Sequence, residues 1–200
     1  ASTEKLPDIF TVTRRTKNQE FVLIRVEKVA GTTDELRFSG SGWFSDKDGT
    51  LITDAHVVRV ENDELSSLFF TAKIKEYRHE IQILDKRTGS NPVQRTRSYR
   101  AEFLGADSNR DTAALKVLNI DPKDFDVLPK GNSDLMKTAD DVFSLGAPHG
   151  LADSFGAPGI VSKTHRLVDM WFVEDFLQCT LPTRPGNSGS PVLNDRGEVV

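Results

Sequence analysis

The run Arg184-Pro185-Gly186-Asn187-Ser188-Gly189-Ser190-Pro191 decides how the rest of the chain is read. It holds too many turn residues for a helix. It lies between two strand-like runs, Phe176 to Leu181 and Pro191 to Leu193. Gly186 and Gly189 let the backbone take conformations that a Cβ would forbid. Such a turn can aim consecutive N–H groups at one point, which is the geometry of an oxyanion hole. Ser188 then holds its hydroxyl beside that point. A serine is a poor nucleophile at neutral pH until a base takes its proton. The reading therefore requires a histidine, and an acid to orient it, elsewhere in the chain.

Both are present in suitable settings. Thr53-Asp54-Ala55-His56-Val57-Val58 follows the apolar pair Leu51-Ile52. Asp111-Thr112-Ala113-Ala114-Leu115-Lys116-Val117 opens an apolar run after the polar turn Ala106 to Arg110. Asp107, in that turn, is the rival acid. The order His56, Asp111, Ser188 is one of the known orders of a Ser-His-Asp triad.

With these blocks on the page, the chain resembles a trypsin-fold (chymotrypsin-like) serine protease, and most of all the HtrA (Deg) branch. The matching pieces are Gly40-Ser41-Gly42-Trp43-Phe44, Thr53 to Val58, Asp111 to Val117, Gly146-Ala147-Pro148-His149-Gly150 and Pro185 to Pro191. They run in the family's order from about residue 36 to the end. The resemblance implies a serine endopeptidase acting on proteins or peptides through an acyl-enzyme. Ser188 is then the nucleophile, His56 the general base, and Asp111 the acid that holds the imidazole tautomer. Asp111 is preferred to Asp107 because it directly precedes the apolar strand, as in the family's motif. The N–H groups of Gly186 and Ser188 form the oxyanion hole. Thr183 and Arg184 border the substrate. The resemblance also implies a homo-oligomer, a trimer built through N-terminal segments such as Ile9, Phe10 and Val12. It favours a periplasmic or other extracytoplasmic location.

Composition narrows the alternatives. Hydrophobic residues at 37% and charged residues at 28% suit a globular chain of 200 residues, long enough to bury a core. A net charge of −4 gives no electrostatic case for nucleic acid. No apolar run approaches the roughly 20 residues of a membrane span. The single cysteine, Cys179, allows no intrachain disulfide, so the fold must stand on its core. No His, Cys and Asp set has metal-ligand spacing, and no glycine-rich phosphate loop is present, so neither metal nor cofactor is expected. His79, His149 and His165 read as surface or packing residues.

Short strand-like runs recur with turn signals every 8–12 residues or so and almost no helical periodicity, which argues for an all-β sandwich or barrels. The runs are Phe21 to Val29, Leu36 to Phe44, Thr50 to Thr53, Tyr99 to Leu104, Ala113 to Leu118, Asp141 to Leu145, Gly159 to Leu167 and Phe172 to Leu181. Phe69 to Tyr77 and Glu80 to Leu84 read as a hairpin turning near Arg78-His79. Asp153 to Gly159 reads as a glycine-rich turn and Lys86 to Ser98 as a loop. Ala55 to Val60 can make one helical turn. The resemblance selects two six-stranded antiparallel barrels with the active site in the cleft between them. Residues 1–120 form the barrel carrying His56 and Asp111, residues 121–131 a linker, and residues 132–200 the barrel carrying Ser188.

Two departures from the family's pattern stand out. Asp54 occupies a position where asparagine or alanine is usual, which puts a carboxylate two residues from the base. In this fold the strand that pairs with substrate falls just after the serine loop, and is expected beyond Val200. The wall before the serine, Thr180 to Arg184, holds no acid, so small or medium apolar side chains are the expected preference. Two other readings stay open on the sequence: a protease-fold binding or scaffold module without activity, and a virus- or phage-type processing protease.

Overall fold

Alternating apolar and polar residues, rich in β-branched and aromatic types, build the strands that dominate the described residues. The computed structural model describes residues 21–31, 33, 35–59, 64–66, 71–85, 95–147, 155–167 and 175–200. The segment of Ile9, Phe10 and Val12 and the residue His149 lie outside the described residues.

The first sheet contains β1 (Phe21–Val29), β2 (Glu35–Gly40), β3 (Trp43–Phe44), β4 (Thr50–Asp54), β5 (Glu64–Ser66), β6 (Thr71–Asp85), β7 (Arg95–Asp107) and β8 (Thr112–Val117). Its order is β2-β1-β6-β7-β8-β4-β3, with β5 paired to β6. Every pairing is antiparallel. A single helical turn, α1 (Ala55–Val58), follows β4. The second sheet contains β9 (Asp141–Gly146), β10 (Phe155–Leu167), β11 (Asp175–Cys179) and β12 (Val192–Leu193), in the order β11-β10-β9-β12. These are two curled half-barrel sheets in an all-β molecule.

Several boundaries differ from the sequence reading. The expected hairpin around Arg78-His79 is one continuous strand, β6. The stretch Phe69 to Leu84 contains no Gly, Pro, Asn or Asp, so it lacks the residues that most favour a tight turn. The expected strand Leu36 to Phe44 is broken at Ser41-Gly42. There the backbone of Ser41 is engaged by Ser188 and Thr53 instead of a neighbouring strand. Strand β10 begins at Phe155, inside the expected glycine-rich turn, and β7 begins at Arg95, inside the expected loop.

The first core gathers Leu23, Phe44, Leu51, Val58, Ile81, Leu115, Val117 and Phe125. The second gathers Leu128, Leu145 and Leu193. The segment between the sheets reads as a polar linker, yet it feeds both cores. Phe125 stacks on Phe44 with ring centroids 4.1 Å apart. Leu128 enters the second core. Its N–H donates to the Phe44 carbonyl at 3.1 Å, and Val199 N–H donates to the Pro129 carbonyl at 2.8 Å.

The interior of the first sheet also holds charge. Arg25 and His79 face each other across β1 and β6. Both are buried, and both reach the end of α1. Arg25 Nη1 donates to the carbonyls of His56 at 2.5 Å and Val57 at 3.1 Å. His79 Nε2–H donates to the Val58 carbonyl at 2.8 Å. A helix leaves its last carbonyls unsatisfied, and these two side chains supply the missing donors. Glu27, fully buried, sits 2.8 Å from Arg25 Nε. This contact is an ion pair by distance and charge, without an aligned hydrogen bond. Burial pushes the Glu27 carboxyl up, and the guanidinium opposes it.

Removing one partner of a buried pair strands the other charge. Arg25→Met is expected to destabilise the fold by about 3–5 kcal/mol. The double variant Arg25→Met/Glu27→Leu should be milder than the single one in denaturant titration. A Glu27 that tolerates loss of Arg25 without cost would refute the pairing. Burial, aided by Arg25, lowers the proton affinity of His79. The unfolded chain therefore takes up this proton first, as pH falls through about 6.5. Stability held above that pH is lost below it. The melting temperature should fall between pH 7 and 5, and His79→Gln, which keeps an N–H donor, should flatten that slope.

Candidate active site

Strand β4 ends at Asp54 and the chain turns at once into α1, which exposes His56 on its first turn. The β4–β8 register places Asp54 opposite Thr112 and so brings Asp111 alongside the turn. Asp111 has φ 48°, in the left-handed region that aspartate enters more readily than most residues. From there it makes three bonds to α1. Its carbonyl accepts from Ala55 N–H at 2.9 Å. Its Oδ1 accepts from His56 N–H at 2.9 Å. Its Oδ2 lies 2.7 Å from His56 Nδ1. A carboxylate can only accept, so the proton in this bond belongs to Nδ1. Asp107 is occupied elsewhere, accepting from Asn109 N–H and Arg110 N–H within its own turn.

The serine loop lies on the other sheet, just before β12. Asn187 N–H donates to the Arg184 carbonyl at 3.0 Å, and Gly186 takes φ 96°. Proline second and a positive-φ glycine third make this a type II turn. Ser41 stitches the loop to the first sheet. Its N–H donates to the Ser188 carbonyl at 2.8 Å and its Oγ to the Gly186 carbonyl at 2.7 Å. The same Oγ accepts from Ala147 N–H at 2.8 Å, at the end of β9. Thr53 Oγ1 in turn donates to the Ser41 carbonyl at 2.6 Å. Gly189, at φ 84°, presses so closely on this seam that a Cβ would stand 2.2 Å from both Ser41 O and Thr53 Oγ1.

Ser188 lines a cavity of about 310 Å³ together with Leu181, Pro182, Thr183, Arg184 and Asp54. Asp54 does not face away from the site. Its Oδ2 accepts from Gly189 N–H at 2.7 Å and lies 4.0 Å from His56 Nδ1. Burial pushes this carboxyl above the ordinary range; the Gly189 bond pulls it back and the Asp111 charge adds to the rise. Sequence position flagged Asp54 as unusual but gave no sign of its bond to the serine loop. Among the described residues, His56 and Ser188 form no hydrogen bond with each other, and Asp54 links their two segments.

Asp54, His56 and Asp111 offer ligand atoms that all lie within 4.8 Å of one another, a grouping made by folding rather than by spacing. Two of those atoms are already bonded to each other at 2.7 Å. Cys179, half-buried on β11, has its thiol pKa raised by burial, the opposite of an activated thiolate.

The model of the trypsin-like peptidase domain matches residues 40–200. A probable periplasmic serine endoprotease, DegP-like, from Halomonas elongata is 32% identical over 170 residues, covering 85% of this chain and 30% of that protein. A protein of the same description from Chlamydia pneumoniae is 29% identical over 161 residues, covering 80% of this chain and 27% of that protein. The chain spans about 30% of the length of the curated relatives it matches. Among solved structures, the HtrA-type protease AlgW with tripeptide superposes with a TM-score of 0.69 at 22% identity, over 97% of this chain and 53% of that one. Deg5 superposes with a TM-score of 0.66 at 20% identity, over 98% of this chain and 86% of that one. The fold is thus the trypsin-like double barrel, and over residues 40–200 the chain belongs to the trypsin-like peptidase family.

Proposed function

We propose that the chain is the proteolytic part of an HtrA-like serine endopeptidase, with Ser188 as nucleophile, His56 as general base and Asp111 as its orienting acid. The observation that carries this reading is the 2.7 Å bond between Asp111 Oδ2 and His56 Nδ1, made beside the serine loop. In the reaction Ser188 Oγ attacks the scissile carbonyl carbon as His56 Nε2 takes its proton. The tetrahedral oxyanion is met by the N–H groups of Gly186 and Ser188. Among the described residues neither N–H is engaged by the loop's own bonds, which run from Asn187 and Ser190. His56 then gives its proton to the leaving amine, and water releases the acyl group by the reverse sequence.

The substrates are proteins or peptides, with Thr183 and Arg184 on the border of the cleft. The wall of the cavity beside Ser188 includes Leu181, Pro182 and Val192, which supports a preference for apolar side chains. Several similar proteins are named as periplasmic, and an extracytoplasmic location follows for this one by analogy. A homo-oligomer, a trimer by analogy with HtrA proteins, belongs to the same proposal. A second reading, a protease-fold binding module, draws on the missing His56–Ser188 hydrogen bond. That bond is often formed only once substrate is present, so its absence weighs little against activity.

A fluorophosphonate probe decides between the two. The proposed enzyme should be labelled stoichiometrically, with labelling lost in Ser188→Ala and His56→Ala and peptide hydrolysis reduced at least about 10⁴-fold. A folded wild-type chain that takes no label would overturn the proposal. Gly189→Ala should also lose labelling while keeping both sheets, because its Cβ would drive the loop off Ser41 and Thr53. Unchanged labelling of that variant would mean the loop can be displaced without loss of the nucleophile's setting.

A further inference from the structure

Asp54 joins three groups that no sequence motif connects. Its Oδ2 accepts the N–H of Gly189, the residue directly after Ser188, at 2.7 Å. The same oxygen lies 4.0 Å from His56 Nδ1, which Asp111 already holds at 2.7 Å. Gly189 takes φ 84°, and a Cβ built on it would stand 2.2 Å from both Ser41 O and Thr53 Oγ1, so the position has no room for a side chain. The titratable groups that act on Asp54 are His56 on α1 and Asp111 just before β8, and Arg184 lines the same cavity.

We propose that Asp54 is a positioning residue that ties the peptide following the nucleophile to the turn carrying the base. It also supplies a second negative charge to the imidazolium formed during the reaction. This rests on the assignment of His56 and Ser188 made above and adds a role to that site. The physics has two separable parts. The hydrogen bond from Gly189 needs only an acceptor, which an amide oxygen also provides. The field at His56 needs the charge. A carboxylate at 4.0 Å from Nδ1 attracts the imidazolium formed in the reaction even when largely screened by solvent. A residue that merely capped the loop would provide the first effect without the second.

Asp54→Asn separates them. It keeps the shape and an acceptor for Gly189 but removes the charge. Asp54→Ala removes both. The measurement is an NMR titration of the His56 imidazole, assigned against His56→Ala, together with the Gly189 amide signal. In Asp54→Asn the His56 titration is expected to move to lower pH, while the Gly189 amide stays protected from exchange. In Asp54→Ala the imidazole should shift likewise and the Gly189 amide should exchange faster. The acid limb of kcat/KM should follow the imidazole in Asp54→Asn with KM little changed. A His56 titration that superimposes on wild type in Asp54→Asn would overturn the proposal, as would a Gly189 amide indifferent to both variants. Because the titration needs no turnover, it decides this point even if fluorophosphonate labelling fails. Failed labelling would remove the protease reading alone.

Discussion

The seam made by Ser41 is the contact on which the site depends. One residue, in the break between β2 and β3, bonds the Ser188 carbonyl through its N–H and the Gly186 carbonyl through its hydroxyl. It also takes Ala147 N–H from β9 and is itself held by Thr53. His56 and Ser188 follow strands of different sheets, so no ladder of strand bonds fixes their separation. These few buried bonds do. Such bonds matter most for what their loss would leave unsatisfied. They also explain why Gly40, Gly146 and Gly189 surround them. A Cβ at any of the three would meet Val57, Ser190 or Ser41 within 2.5 Å.

The turn carrying His56 is held from two sides. Above it, Asp111 grips the start of α1 with its carbonyl and both carboxylate oxygens. Below it, Arg25 and His79 bond the last carbonyls of the same turn. A four-residue helix has little intrinsic stability. Its geometry is imposed by these partners, at the cost of burying Arg25 and Glu27 inside a small sheet. A left-handed Asp111 and a buried ion pair are both departures from easy folding, and both lie next to the proposed chemistry.

Asp54 gives the two sides a common member. It ends β4, neighbours Asp111 through the strand register, and reaches the serine loop across the cleft. Its carboxylate accepts from Gly189 N–H and lies 4.0 Å from His56 Nδ1.

Much of this was legible in the residues alone. Pro185-Gly186-Asn187-Ser188-Gly189 announces a turn because only glycine takes those φ values readily. Phe21 to Val29 and Asp141 to Leu145 announce strands by alternation and composition. The blocks around His56 and Asp111 carry a family resemblance because local sequence sets local shape. What the sequence could not supply is which distant groups meet. Arg78-His79 looks like a turn until β6 is seen to run straight through it and carry His79 to Val58. Residues 121–131 look like a linker until Phe125 and Leu128 are found in two different cores. Asp54 looks like a local perturbation until its partner proves to be Gly189, 135 residues away. Turn and strand preferences are properties of neighbours in the chain and can be read from it. Burial of charge, the partner of a carboxylate and the meeting of two sheets depend on non-local closure, which only the folded backbone decides.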